Sequence, residues 1–86
     1  MNNYNVDTTG WNSYPFQYEG LEFVSLISPE SPLLKQINQL PAGLFEVMNQ
    51  SAIKDLVGTN LTRDYVSEKL IELNENASHA ILELVG

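Results

Sequence analysis

Residues 62–86 read TRDYVSEKLIELNENASHAILELVG, and the reading of this stretch decides the fold. Val66, Leu70, Leu73, Ala77, Ala80, Ile81 and Leu84 recur at helical spacing, so a single apolar stripe can run from one end to the other. Thr62 offers an N-cap hydroxyl, with Thr59 and Asn60 in competition, and Asp64 places a carboxylate in the first turn, where the helix dipole favours it. The spacing predicts one long helix over the whole stretch. Ile71 and Leu82 then fall on its back, and Val85 on its flank.

Working upstream, a second helix is predicted over about 42–57, ended by Gly58. At 100° per residue, Leu44, Phe45, Met48, Ala52 and Leu56 share about 120° of arc and form its expected core face, with Val47, Ile53 and Val57 outside it. Ser31 followed by Pro32 reads as an N-cap and first helical position for a short helix over 32–40, carrying Leu33, Leu34, Ile37 and Leu40. Ser28 with Pro29 offers a start one turn earlier, and Pro41 stops the helix. The short connections make these helices antiparallel or sharply angled neighbours.

The remaining ordered pattern is WNSYPFQYEGLEFVSLI, residues 11–27. Residues 14–18 and 21–27 can pair as a hairpin across Glu19-Gly20, a weaker turn signal than Asn-Gly. Alternation after Gly20 is poor, because Phe23, Val24, Leu26 and Ile27 leave no clean polar face. The first ten residues, MNNYNVDTTG, read as flexible. The expected fold is mainly α with a β element (α+β): one domain over 1–86, a compact core of three mostly antiparallel helices, and a short N-terminal strand or hairpin. An all-α chain in which 21–27 starts an earlier helix is the alternative.

Eighty-six residues with 11 acids, 4 bases and a net charge of −7 bound the function classes. Nucleic-acid binding needs clustered Lys and Arg, whereas Lys35, Lys54, Arg63 and Lys69 stand singly. The same charge is repelled by an anionic membrane surface, and no apolar run is long enough to span a bilayer. With no cysteine there is no thiolate metal site and no cysteine nucleophile. The N-terminus lacks the pattern of a secretory signal, so a cytoplasmic protein is expected.

The densest chemical constellation is acidic. On a continuous helix, Glu68, Glu72, Glu75, His79 and Glu83 share about 80° of arc, with Asp64 extending the face. Carboxylates around one imidazole are compatible with a divalent cation, but di-iron bundles need Glu-x-x-His pairs and carboxylates from other helices. A stripe on one helix also lacks the second wall that would exclude water and fix a substrate. The face therefore reads chiefly as solvated charge. No catalytic residue, metal site or cofactor is assigned. An acyl-carrier-type attachment site is excluded as well, because no serine here follows an aspartate.

Trp11, Tyr14, Phe16 and Tyr18 supply rigid apolar area with polar handles, a composition enriched at protein interfaces. They serve either to complete a small core or to anchor a partner. Ile71 and Leu82, on the back of the long helix, are expected to form the seam of a possible two-fold homodimer. The sequence thus points to a small acidic protein-interaction module without catalytic activity, acting as an adaptor, regulator or inhibitor; its charge is compatible with a basic partner and equally with mere solubility. The alternative is an acidic nucleic-acid mimic that inhibits a DNA-binding protein. A carboxylate-based enzyme is the remote one.

Overall fold

The structure is a computed structural model and describes residues 7–75, 77 and 79–85. Its organising feature is the hairpin. Strands β1 (Asn12–Tyr18) and β2 (Leu21–Ile27) pair antiparallel, with Tyr18 opposite Leu21, Phe16 opposite Phe23 and Tyr14 opposite Ser25. Glu19 and Gly20 both have positive φ, 51° and 82°, which makes the connection a type I′ turn whose twist matches the strands. Glu19 is the only non-glycine residue with positive φ among those described, and a left-handed backbone costs a side chain such as glutamate about 1–2 kcal/mol. Asparagine tolerates that region better. Glu19→Asn is therefore expected to stabilise the fold by about 0.5–1 kcal/mol and to raise the melting temperature by a few degrees in a circular-dichroism melt.

A third strand, β3 (Ala80–Leu84), pairs antiparallel with the other side of β2, giving the order β1-β2-β3. Paired residues point to the same side of an antiparallel sheet. One face thus carries Phe16, Phe23, Ser25, Ile27, Leu82 and Leu84, and the other carries Val24, Leu26 and Ile81. The central position of β2 explains the broken alternation in its sequence, since it has apolar neighbours on both faces.

The helices are α1 (Leu33–Gln39), α2 (Leu44–Val57) and α3 (Arg63–Asn74). Three helices and an N-terminal antiparallel hairpin are thus present as the sequence predicts. The Ser31 hydroxyl accepts the Leu33 N–H at 3.1 Å just ahead of α1, whose cap position is Pro32 where the sequence suggests Ser31. Gly58 closes α2, its N–H donating to the Lys54 carbonyl at 2.9 Å. Ile53 and Val57 of α2 and Val66 and Leu70 of α3 bury themselves against Phe16 and Phe23. Helix α1 contributes no buried residue.

The extent of the third helix is the main correction. It ends at Asn74, and residues 80–84 of the expected stripe form β3 instead. Asn74, Asn76 and Ser78 are poor helix formers because their side chains compete for nearby backbone groups. Pairing with β2 gives Ile81, Leu82 and Leu84 more burial than a solvent-flanked helix would. Asn74 secures the change: its Nδ2 donates to the Leu82 carbonyl at 2.8 Å, and the Leu82 N–H donates to its Oδ1 at 3.3 Å.

Of the segment 1–10 expected to be flexible, residues 1–6 lie outside the described residues. Beyond them the chain makes a turn. The Asp7 carboxylate accepts from Thr9, whose hydroxyl and then backbone N–H (3.0 Å) hold the Asp7 pKa below its usual value.

Candidate functional site

Helix α2 is rotated by about 120° from the orientation its strongest apolar arc suggests. Asn49, Ile53 and Val57 are its buried residues, whereas Ala52 is exposed and Leu44 and Met48 face water. Several contacts hold this rotation. The Gln50 Nε2 donates to the Gln17 carbonyl of β1 at 2.8 Å, and Phe45 meets Tyr14 edge-on with ring centroids 5.2 Å apart. Phe45 and Leu56 border both arcs, so the helix keeps them in either orientation.

The consequence is an apolar outer surface. Leu44, Val47 and Met48 are 40–56 % exposed, and Leu73 of α3 falls within the same range. Val47 and Met48 each lie one helical turn from Leu44, so the three share a side of α2. Between the start of α2 and the end of α3 opens a groove of about 250 Å³, walled by Phe45 and Asn49 on one side and by Leu73 and Asn74 on the other. Ser25, Ile27 and Leu82 of the sheet line its base, and Leu33 of α1 lines it as well.

The aromatic segment is divided in its roles. Phe16 is 5 % exposed and stacks on Phe23, with centroids 5.3 Å apart, so it is a core residue. Tyr18 packs against the core cluster, Tyr14 contacts Phe45, and Trp11 is half-buried. The expected seam of Ile71 and Leu82 also dissolves. Leu82 lies on β3, opposite Ser25 and partly buried against the core, while Ile71 is on α3 and half-buried. They cannot share the back of one helix, because no helix joins them.

The acidic face is likewise divided. Asp64, Glu68 and Glu72 remain on the exposed side of α3, and Glu75 follows at its C-cap. His79 sits exposed in the connection to β3, and Glu83 is half-buried on that strand, so Glu75, His79 and Glu83 are not successive turns of a helix. Lys69 pairs with Glu72 at 3.8 Å and lies 5.5 Å from the Tyr65 ring centre. Among the described residues, no three His, Cys, Asp or Glu side chains converge as a metal site would require. No described helix is long and apolar enough to cross a membrane.

Sequence reasoning missed the groove because it depends on the rotation of α2 and on the end of α3. One signal was available: α2 is apolar on more than one side, so one apolar side had to remain outside a three-stranded, three-helix core. No protein-family model, curated protein or solved structure matches this chain.

Proposed function

We propose that this protein is a non-enzymatic protein-interaction module, a small adaptor, regulator or inhibitor. Its partner docks on the outer face of α2. A cytoplasmic setting is part of the same proposal. The observation that carries it is the patch Leu44, Val47 and Met48 on one side of α2, large apolar side chains left 40–56 % exposed in a chain with few residues to spare. Single exposed apolar residues are ordinary, but a contiguous cluster of them marks an interaction surface.

The double variant Val47→Glu, Met48→Glu tests this reading. Both side chains point to water, so the melting temperature should stay within about 0.5 kcal/mol of wild type in stability terms. Capture of the partner from a native lysate should be lost. Unchanged capture would sink the proposal.

A second reading, the acidic mimic of nucleic acid, draws support from Asp64, Glu68, Glu72 and Glu75, all exposed along α3 and its end. Salt separates the two. Contacts made by carboxylates are screened as ionic strength rises, and a mimic would compete with DNA. Capture through the apolar face should survive moderate salt and ignore added DNA.

A further inference from the structure

We infer that the groove between α2 and α3 binds a small uncharged molecule with an apolar body and a carboxamide-like edge that both donates and accepts hydrogen bonds. This goes beyond the interaction-module reading and stands whether or not that reading holds.

Two polar side chains at core positions carry it. Asn49 precedes Ile53 and Val57 at four-residue steps on the buried side of α2. Ser25 lies between Phe23 and Ile27 on the buried face of β2. An aliphatic residue at either place would continue the core, yet Ser25 is only 3 % exposed and Asn49 only 9 %. The other buried polar residues use their hydrogen bonds within the fold. Ser28 accepts the Glu30 N–H, Ser31 accepts the Leu33 N–H, and Asn74 holds both backbone groups of Leu82. Among the described residues, the side chains of Ser25 and Asn49 find no such partner. Buried polar groups are ordinarily paired, so two exceptions in one place call for a reason.

Neither group is sealed into the core. Among the described residues, no side-chain nitrogen or oxygen is both fully enclosed and without a partner. Ser25 and Asn49 both line the groove, and their polar atoms open onto it. Asn49 also borders a hollow against β1, which Ser25 does not reach.

The chemistry of the lining selects the ligand. A hydroxyl donates and accepts one bond each way, and a carboxamide does the same through two atoms, so the complementary edge must also carry both functions. None of the described residues lining the groove is charged. An ion entering it would lose water with no opposite charge to replace it, which favours a neutral molecule. Around the polar pair stand Ile27, Leu33, Phe45 and Leu73, which match an apolar body. The volume is about 250 Å³. A cavity of roughly 150 Å³ holds a benzene ring, so a ring bearing one carboxamide fits.

Benzamide is the probe, titrated into isotope-labelled protein and followed by amide shifts. Saturation is expected with a dissociation constant of about 1 mM or tighter, and with shifts centred on Ser25, Ile27, Phe45 and Leu73. Benzoate and benzamidinium share its shape but carry a charge, and should bind at least roughly tenfold more weakly. Ser25→Ala and Asn49→Ala should each weaken benzamide by roughly three- to tenfold, while cumene, its apolar counterpart, should change by less than about twofold. Ser25→Ala removes no hydrogen bond from the fold, so its melting temperature should stay within a few degrees of wild type. Acetyl-glutamine amide offers the carboxamide as a partner protein's side chain would, and for want of an apolar body should bind at least roughly tenfold more weakly.

No saturation by benzamide below about 10 mM, equal binding of the charged analogues, or indifference to both substitutions would each overturn the inference. Tighter binding of acetyl-glutamine amide would give the groove to a partner's side chain, and shifts centred on Ser13 and Gly43 would place benzamide in the hollow beside β1. Either outcome overturns it as well. So would a Ser25→Ala melting temperature lower by about ten degrees or more, which would show that the hydroxyl serves the fold.

Discussion

Phe23→Ala should remove most of the protein's stability at 25 °C. Phe23 is fully buried at the middle of the central strand, stacked on Phe16 and in one cluster with Ile53, Val57, Val66 and Leu70. Removing a buried phenyl ring costs about 3–5 kcal/mol in lost transfer energy and unfilled space. A chain this short has little more than that to lose, since native domains are stable by only about 5–15 kcal/mol and the smallest lie at the low end. Urea melts followed by circular dichroism measure the loss. Phe23→Leu, which keeps most of the volume, should stay folded and lose far less. A Phe23→Ala protein that melts like wild type would mean that the core is not organised around the hairpin.

Asn74→Ala should be the most damaging change at a polar position. Its amide acts as a one-residue neighbour strand: it accepts the Leu82 N–H and donates to the Leu82 carbonyl on the outer edge of β3. The side chain is 2 % exposed, so water does not readily replace it. Losing both bonds and leaving the Leu82 groups without partners is expected to cost about 2–4 kcal/mol. Hydrogen exchange at the Leu82 amide should accelerate more than at the amides of β2. Asn74→Asp should be worse still at neutral pH. A carboxylate cannot donate to the carbonyl, and burial disfavours its charge, so its native pKa lies above the unfolded value. The deficit should therefore shrink as pH falls and the acid becomes protonated, and grow as pH rises through the native pKa. Stability of Asn74→Ala within about 0.5 kcal/mol of wild type would show that Asn74 does not hold β3.

The parts legible in the sequence are those written in local chemistry. The strand over 21–27, the turn at Glu19-Gly20, the start of α1 after Ser31-Pro32 and the stop at Gly58 each follow from one or two residues whose preferences tertiary contacts do not oppose. The same holds for the start of α3 at Arg63. There Thr62 occupies the cap position, but its hydroxyl donates to the Asn60 Oδ1 at 2.9 Å instead of capping the helix.

By itself, then, the sequence determined the kinds of element as far as Asn74, most of their boundaries and the acidity of the chain. Tertiary structure decided two things. The first was whether residues 80–84 continue a helix or join a sheet. Their apolar residues satisfy both periods over so short a run, and the open side of β2 offered backbone partners that only the folded hairpin creates. The second was which side of α2 faces inward. With apolar residues around more than half its circumference, helical periodicity allowed two orientations. Gln50 on the Gln17 carbonyl, Phe45 on Tyr14, and the fit of Ile53 and Val57 beside Phe16 and Phe23 settle the rotation. Leu44, Val47 and Met48 face water as a result. The apolar surface assigned here to a partner exists because packing is a property of the assembled core, where each helix can bury only the side that its neighbours have room to cover.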